Sequence, residues 1–448
     1  MSQRLSFRAQ RGILASLLPL GFRFSATACG LKKKLGALDL ALISADKPCA
    51  AAGVFTTNLV KAAPVLLSRE HLRRTAGRAR AIIVNSGNAN CSTGPDVLRA
   101  SRATAQAVAR ELGCRPEAVL VCSTGVIGVP LRVERILGAL PSLVRLQRES
   151  AAGFSAVTRA IMTTDTRPKW AAASCTIAGR RVSILGCAKG AGMIAPNMAT
   201  MLAFVLTDAA ISPTVLQRAL RDIAGKTFNA ITVDGDTSTN DTLFVLASGQ
   251  SGAHITSNSR AARLFFAALE NVCWKLALQI VADGEGARRV VEVEVRGASS
   301  DPAALQVACT IATSPLVKTA LAGADPNWGR ILAAAGRSGV HFDPNRADIW
   351  LAGIKMYSRG RALPFDERAA HRRLLSPFIS IEVDLGATTL SLRRTRPRDL
   401  RFTDYGLRSL RSGPFPISNF RFPSAGSARI WTCDLTGEYV AINASYRT

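Results

Sequence analysis

The sequence predicts a mixed α and β protein on three observations. Short β-type apolar runs alternate with helical ones from about Leu40 onward. The 448 residues exceed what one small core orders, so two lobes or one large layered domain is expected. Hydrophobic residues make up 48% and charged residues 20%, enough apolar surface to offset chain entropy and too little charge density for global disorder.

Residues 81–84 (AIIV) and 119–122 (VLVC) read as buried strands, each followed by a small-residue polar loop, NSGNAN and STGVIG. Residues 97–112 form the amphipathic helix between them. The stretch 171–187 has two β-like halves around Ala178-Gly179-Arg180, a hairpin signal. Residues 201–206 (MLAFVL) read as a core strand behind a loop rich in Gly and Pro. Residues 213–223 and 259–281 read as helices. Residues 290–295 (VVEVEV) alternate with period two, as a half-exposed strand does.

The formal charge of +26 first suggests nucleic acid or an acidic membrane surface. Its distribution argues against both. Residues 1–38 hold seven basic residues and no acid, and 387–425 hold eight Arg against Asp399 and Asp404, so these two segments supply 13 of the 26 charges. Residues 388–424, rich in Arg, Pro, Ser and Phe, read as an insertion-like surface segment. Neither a nucleic-acid nor a membrane partner is expected.

The ten Cys include no C-x-x-C pair, and His71, His254, His341 and His371 lie far apart, so no zinc spacing exists and no metal is expected. Reduced, mostly buried thiols fit better. No uninterrupted apolar run reaches the roughly 18 residues of a spanning helix. The early apolar run 13–20 follows Arg4, Arg8 and Arg11; it reads as an N-terminal extension, residues 1–18, with a signal peptide or Arg-rich organelle presequence as alternatives.

Two runs carry chemistry. In KGAGMIAPNMATMLAF (189–204), a lysine, two glycines and a proline lead to Thr200 at the mouth of the core strand, which would hold that side chain rigidly. In TFNAITVDGDTSTNDT (227–242), Asp234, Asp236 and Asp241 sit among five Thr, one Ser and two Asn. A calcium loop is excluded because Gly235 falls between the first two acids and no terminal Glu follows. A polar turn network beside the nucleophile strand is the expectation.

With DLALISADKPCAAAGVFTTNLVKAAPV (39–65) and VNSGNAN (84–90), these runs resemble the ornithine acetyltransferase family, also called bifunctional glutamate N-acetyltransferase and amino-acid acetyltransferase. The resemblance starts near Gly21 and Phe22, reaches Gly386, and resumes at about Ala425, some nine tenths of the chain. It implies an α/β sandwich with two β layers flanked by helices, similar to N-terminal nucleophile enzymes. It also implies self-cleavage between Ala199 and Thr200 into an α chain, residues 19–199 beyond the extension, and a β chain, residues 200–448, intertwined and assembled as α2β2.

The implied reaction passes the acetyl group of N-acetylornithine to glutamate through acetyl-Thr200. An N-terminal threonine suits this because its α-amine, with an unperturbed pKa of about 7.7 to 8.0, supplies the base that a hydroxyl lacks. The family's oxyanion positions fall on Thr124 and Gly125 of the STG run, and its substrate positions on Thr163, Lys189, Thr200, Glu285, Asn443 and Thr448. Lys189 suits a substrate carboxylate and Glu285 an amino group. No resident cofactor is implied, and acetyl-CoA stands open as a co-substrate. The rival enzyme reading is an aminopeptidase or amidase with the same self-made nucleophile and water as acceptor. Cytoplasm is the expected compartment, with the mitochondrial matrix as the alternative.

Overall fold

The computed structural model describes residues 14–94, 97–195, 201–257, 259–386 and 425–445. Thr200, Ala199 and Thr448, most of the extension 1–18 and the insertion 388–424 lie outside the described residues. The chain forms two compact units. Among the described residues the first comprises 14–229 and 236–280, and the second 230–235, 281–386 and 425–445.

In the first unit the strands are β1 (Phe22–Thr27), β2 (Leu40–Phe55), β3 (Arg78–Asn88), β4 (Val119–Val126), β5 (Lys169–Ile177), β6 (Arg180–Lys189), β7 (Leu202–Thr207), β8 (Ala210–Ile211), β9 (Thr242–Ala247) and β10 (His254–Ile255). β8 and β10 pair as a short ribbon, and the others make one sheet ordered β4-β3-β2-β9-β7-β6-β5, with β1 alongside β2. β7 and β9, which follow residue 200, therefore lie between β2 and β6, which precede it.

The period-two pattern sends alternate residues to opposite faces. Leu40, Leu42, Ala81, Ile83, Val119 and Val121 join one apolar cluster. There they meet α1 (Ala63–Arg74), α2 (Val97–Leu112) and α3 (Val133–Arg145) through residues such as Leu67, Val108 and Ile136. Ala41, Ile43, Ile82, Val84, Leu120 and Cys122 feed the opposite cluster, with Phe154 and Val157 of α4 (Ala151–Ala160). Phe24 meets Phe154 edge-on at 5.4 Å. Leu14 and Leu17 are buried in this second cluster, so the packed chain begins inside the segment expected as an extension.

Helix α5 (Pro213–Lys226) is capped by Ser212, whose hydroxyl accepts from Val215 N. Helix α6 (Arg260–Ala282) has 23 residues and is apolar enough to cross a membrane by length and composition, but most of it is buried inside the protein. Gln279 pins it to β5 through both backbone groups of Trp170, at 3.2 and 3.0 Å, as a core helix would be.

The second unit holds β11 (Val290–Arg296), β12 (Asp348–Leu351), β13 (Ile354–Ser358), β14 (Arg361–Ala362), β15 (Phe378–Asp384) and β16 (Ala428–Cys433), ordered β14-β13-β12-β15-β11-β16. Its helices are α7 (Asp301–Ala312), α8 (Pro315–Ala322), α9 (Trp328–Gly336), α10 (Glu367–Leu374) and α11 (Gly437–Ala444). The alternation read in β11 is realised: Val291, Val293 and Val295 are fully buried, while Glu292 and Glu294 pair with Arg429 of β16 at 3.1 and 3.2 Å. Both units are thus sheets flanked by helices. All ten cysteines are free thiols, six of them buried, and burial pushes Cys49 and Cys187 up to about 12.

The hairpin β5–β6 closes with the two-residue turn Ala178-Gly179, where φ is +48° and +76°. Positive φ at both central positions is the type I′ turn that matches strand twist, and it strains a residue bearing a Cβ. Ala178 is exposed and carries that strain without packing in return. Ala178→Asn should therefore stabilise the protein by about 0.5–1 kcal/mol. Thermal denaturation with an unchanged or lowered midpoint would count against the strain.

Candidate active site

Lys189 ends β6, is 2% exposed, and pairs in register with Leu202 at the start of β7. Both ends of the Gly- and Pro-rich run are thereby fixed in the sheet. Beneath it lies Asp165, in the turn between α4 and β5. Its Oδ1 accepts from Lys169 Nζ at 2.6 Å and from Gly190 N at 2.7 Å, and its Oδ2 accepts from Thr163 N at 2.8 Å. The side chains of Asp165 and Lys169 are 0% and 1% exposed. Burial alone would push the Asp165 carboxyl up. The ammonium groups of Lys169 and Lys189, with the Gly190 N–H, outweigh it and hold the group below the usual carboxylate range. Thr163 and Lys189, both expected to bind substrate, are thus drawn together by a carboxylate that sequence reasoning did not single out.

Lys32 belongs to the same cluster. Its ammonium donates to Leu38 O and Ala160 O at 2.8 and 3.3 Å. Burial lowers its pKa against the attraction of Asp39 and Asp165.

The NSGNAN and STGVIG runs were expected as loops, but β3 and β4 continue into them. Their parallel pairing carries on through Ser86↔Thr124 and Gly87↔Gly125, then breaks in a bulge at Asn88. A Cβ on Gly125, whose φ is +135°, would collide with the Gly87 carbonyl carbon and lie 2.5 Å from Asn88 N, so the close approach requires glycine. Thr124 is buried at this strand end. Asn240 ties the two runs together, its Nδ2 donating to Ala89 O at 2.7 Å and Ser123 O at 2.8 Å. Ser123 Oγ in turn donates to Asn85 Oδ1 at 2.5 Å.

The three carboxylates read as one network separate. Asp234 belongs to the second unit and accepts from Tyr439 Oη at 3.2 Å, and Asp236 is exposed. Asp241 is fully buried in the first unit, where its Oδ1 accepts from Met201 N at 2.6 Å. That N–H belongs to the peptide whose carbonyl is Thr200's own. Burial pushes the Asp241 carboxyl well above the usual range, against the Met201 N–H and the Lys189 ammonium. Its Oδ2 makes no hydrogen bond among the described residues.

In the second unit, Glu285 and Asn443 meet directly: Asn443 Nδ2 donates to Glu285 Oε2 at 2.7 Å. The turn that carries Glu285 is fixed by Thr436 Oγ1 donating to Gly286 O at 2.8 Å, and by Asp434, which accepts from Arg288 N and Arg289 N at 2.8 and 3.0 Å. Arg289 also pairs with Asp434 at 3.1 Å. Glu285 is 8% exposed and lies against Asn443, while Arg289 turns to Asp434. Asp165, Lys169, Asn240 and Asp434 were not found from sequence; the only local signal was the acid–base spacing of Asp165 and Lys169, four residues apart.

A family model described as the ArgJ family matches residues 23–396. A relative in Geobacter sulfurreducens, named arginine biosynthesis bifunctional protein ArgJ, is 46% identical over 429 residues, covering 96% of this chain and 99% of that protein. One of the same name in Thermosynechococcus vestitus is 47% identical, covering 96% of each. Among solved structures, ArgJ of Bacillus halodurans is 38% identical over 54% of this chain and 98% of that one, with a TM-score of 0.45. The ornithine acetyltransferase of Mycobacterium tuberculosis, solved with ornithine, is 39% identical over 40% and 92%, with a TM-score of 0.34. The molecule is an acyltransferase of arginine biosynthesis. The chain belongs to the ArgJ family.

The Asp241 carboxyl has a direct consequence for stability. A carboxyl raised in the folded chain favours folding fully only below its unfolded pKa of about 3.9, and stability falls as pH rises toward the folded value. Asn has the shape of the neutral acid and does not titrate. In a Thr200→Ala background, Asp241→Asn should show no advantage near pH 4 and a growing one as pH rises above it, by roughly 1.4 kcal/mol per pH unit within the titration window. A difference in melting temperature that stays flat across that range would mean Asp241 is ionised in the folded protein.

Proposed function

We propose that the chain cuts itself between Ala199 and Thr200 and then carries the acetyl group of N-acetylornithine to glutamate on Thr200. The observation that carries this reading is the fixing of both flanks of the 189–201 run. Lys189 stands at the end of a buried strand, and Met201, the residue after the nucleophile, is held by Asp241 at the mouth of the next. Family membership favours acetyl transfer over the aminopeptidase or amidase reading.

In the precursor, Thr200 Oγ attacks the Ala199 carbonyl carbon, the Ala199–Thr200 C–N bond breaks, the nitrogen takes the proton, and water hydrolyses the resulting ester. The free α-amine then accepts the Oγ proton as Oγ attacks the acetyl carbon of N-acetylornithine. Collapse breaks the amide C–N bond and returns the proton to departing ornithine. The glutamate amine attacks acetyl-Thr200 in turn, and Thr200 Oγ leaves with a proton, giving N-acetylglutamate. Thr124 and Gly125 are assigned to the oxyanion, Lys189 with Thr163 to the substrate carboxylate, and Glu285 with Asn443 and Thr448 to the ornithine amino group.

The relatives are named bifunctional, which supports acetyl-CoA as a second donor to glutamate. An α2β2 assembly and a cytoplasmic location complete the reading.

The purified protein should run as two chains of 199 and 249 residues, the larger beginning at Thr200. Thr200→Ala should stay one inactive chain, because the same hydroxyl serves both steps. Thr200→Ser should keep both activities at reduced rate, having lost the methyl group that restricts χ1. N-terminal sequencing and an acetyl-transfer assay decide the matter: an uncut wild-type chain with full activity would sink the mechanism.

A further inference from the structure

We propose that Asp165 is a positioning residue that sets substrate-carboxylate affinity by fixing the Lys189–Gly190 backbone against Thr163 and by facing the Lys189 ammonium with a permanent negative charge. The proposal rests on the reading of Lys189 as the carboxylate-binding residue.

The geometry is unusual for a structural ion pair. A buried carboxylate paired only with Lys169 would stabilise little beyond what two apolar residues would. Asp165 instead gives one oxygen to Thr163 N and shares the other between Lys169 Nζ and Gly190 N, so it joins its own turn, which carries Thr163, to the end of β6, which carries Lys189, and both of those residues are assigned to substrate. Lys169 stands at the head of β5 in register with Ala188, beside Lys189 on β6, and helps keep the carboxylate ionised. Among the described residues, Asp165, Asp241 and Lys32 interact electrostatically with Lys189, and Lys169, on the paired strand, acts on Asp165. Asp241 is held toward its neutral form and Lys32 repels, so Asp165 is the anion that favours the charged form of Lys189.

Removing the Asp165 charge alone strands a buried ammonium, and that variant can fail for lack of stability. The informative protein is the double variant Asp165→Asn/Lys169→Met, which removes the buried cation together with the anion while the amide oxygen still accepts one N–H. It should mature into two chains and melt within a few degrees of wild type. Its KM for N-acetylornithine should rise about tenfold, with kcat within roughly threefold, the pattern of lost ground-state binding.

Adding Lys189→Ala should raise KM little further than Lys189→Ala does alone, since both changes act through one ammonium. A folded double variant with wild-type KM overturns the proposal. So does a KM defect that multiplies fully with that of Lys189→Ala. If Lys189→Ala by itself leaves KM unchanged, the carboxylate assignment of Lys189 falls instead.

Discussion

The antiparallel ladder between β6 and β7 is the constraint on which the site depends. It runs from Ile184↔Thr207 to Lys189↔Leu202 inside a fully buried part of the sheet. The segment joining the two strands must leave and re-enter at adjacent points. Around this ladder the first unit gathers polar groups whose interactions are strengthened by burial: Asp165 below the Lys189 end, Asp241 at the Met201 end, and Asn240 tying the latter loop to the STG run. Each is a side chain bonding to backbone, so the network fixes the path of the main chain.

Much of the fold was legible because it rests on period and turn chemistry. The helix 97–112 and the break at Ala178-Gly179 are local signals, and the structure puts them where the pattern does. The apolar run 201–206 could belong to a strand or a buried helix by periodicity alone; the Gly- and Pro-rich stretch before it favoured a strand, which β7 is. Polar runs misled where pairing overrode composition. NSGNAN and STGVIG look like loops, yet parallel ladder bonds extend both strands until the bulge at Asn88.

The site was legible in its residues and less so in their supports. Lys189 and Thr163 came from resemblance, but Asp165 links them by accepting from Gly190 N, 25 positions away, and no local pattern records that contact. The VDGDTSTND run reads as one acidic cluster, whereas Asp234 folds with α11 and Asp241 with β7. Glu285 is followed in sequence by Arg288 and Arg289. The partner that Arg289 takes, Asp434, lies 145 positions away, and Glu285 is left to Asn443. Sequence distance carries no information about such pairings once the chain is compact.

The strand order holds one more consequence. β9 and β7 are inserted between β2 and β6, so a polypeptide severed after residue 199 would consist of two pieces interleaved in one sheet. Neither piece could withdraw without opening two ladders, β2–β9 and β6–β7. Before severance, folding is a first-order search; afterwards, recovery from complete unfolding becomes a second-order encounter between fragments that each expose unpaired strands. The mature protein would then persist by the height of its unfolding barrier more than by reversible equilibrium, and the connected precursor would be the form in which the native topology can be reached.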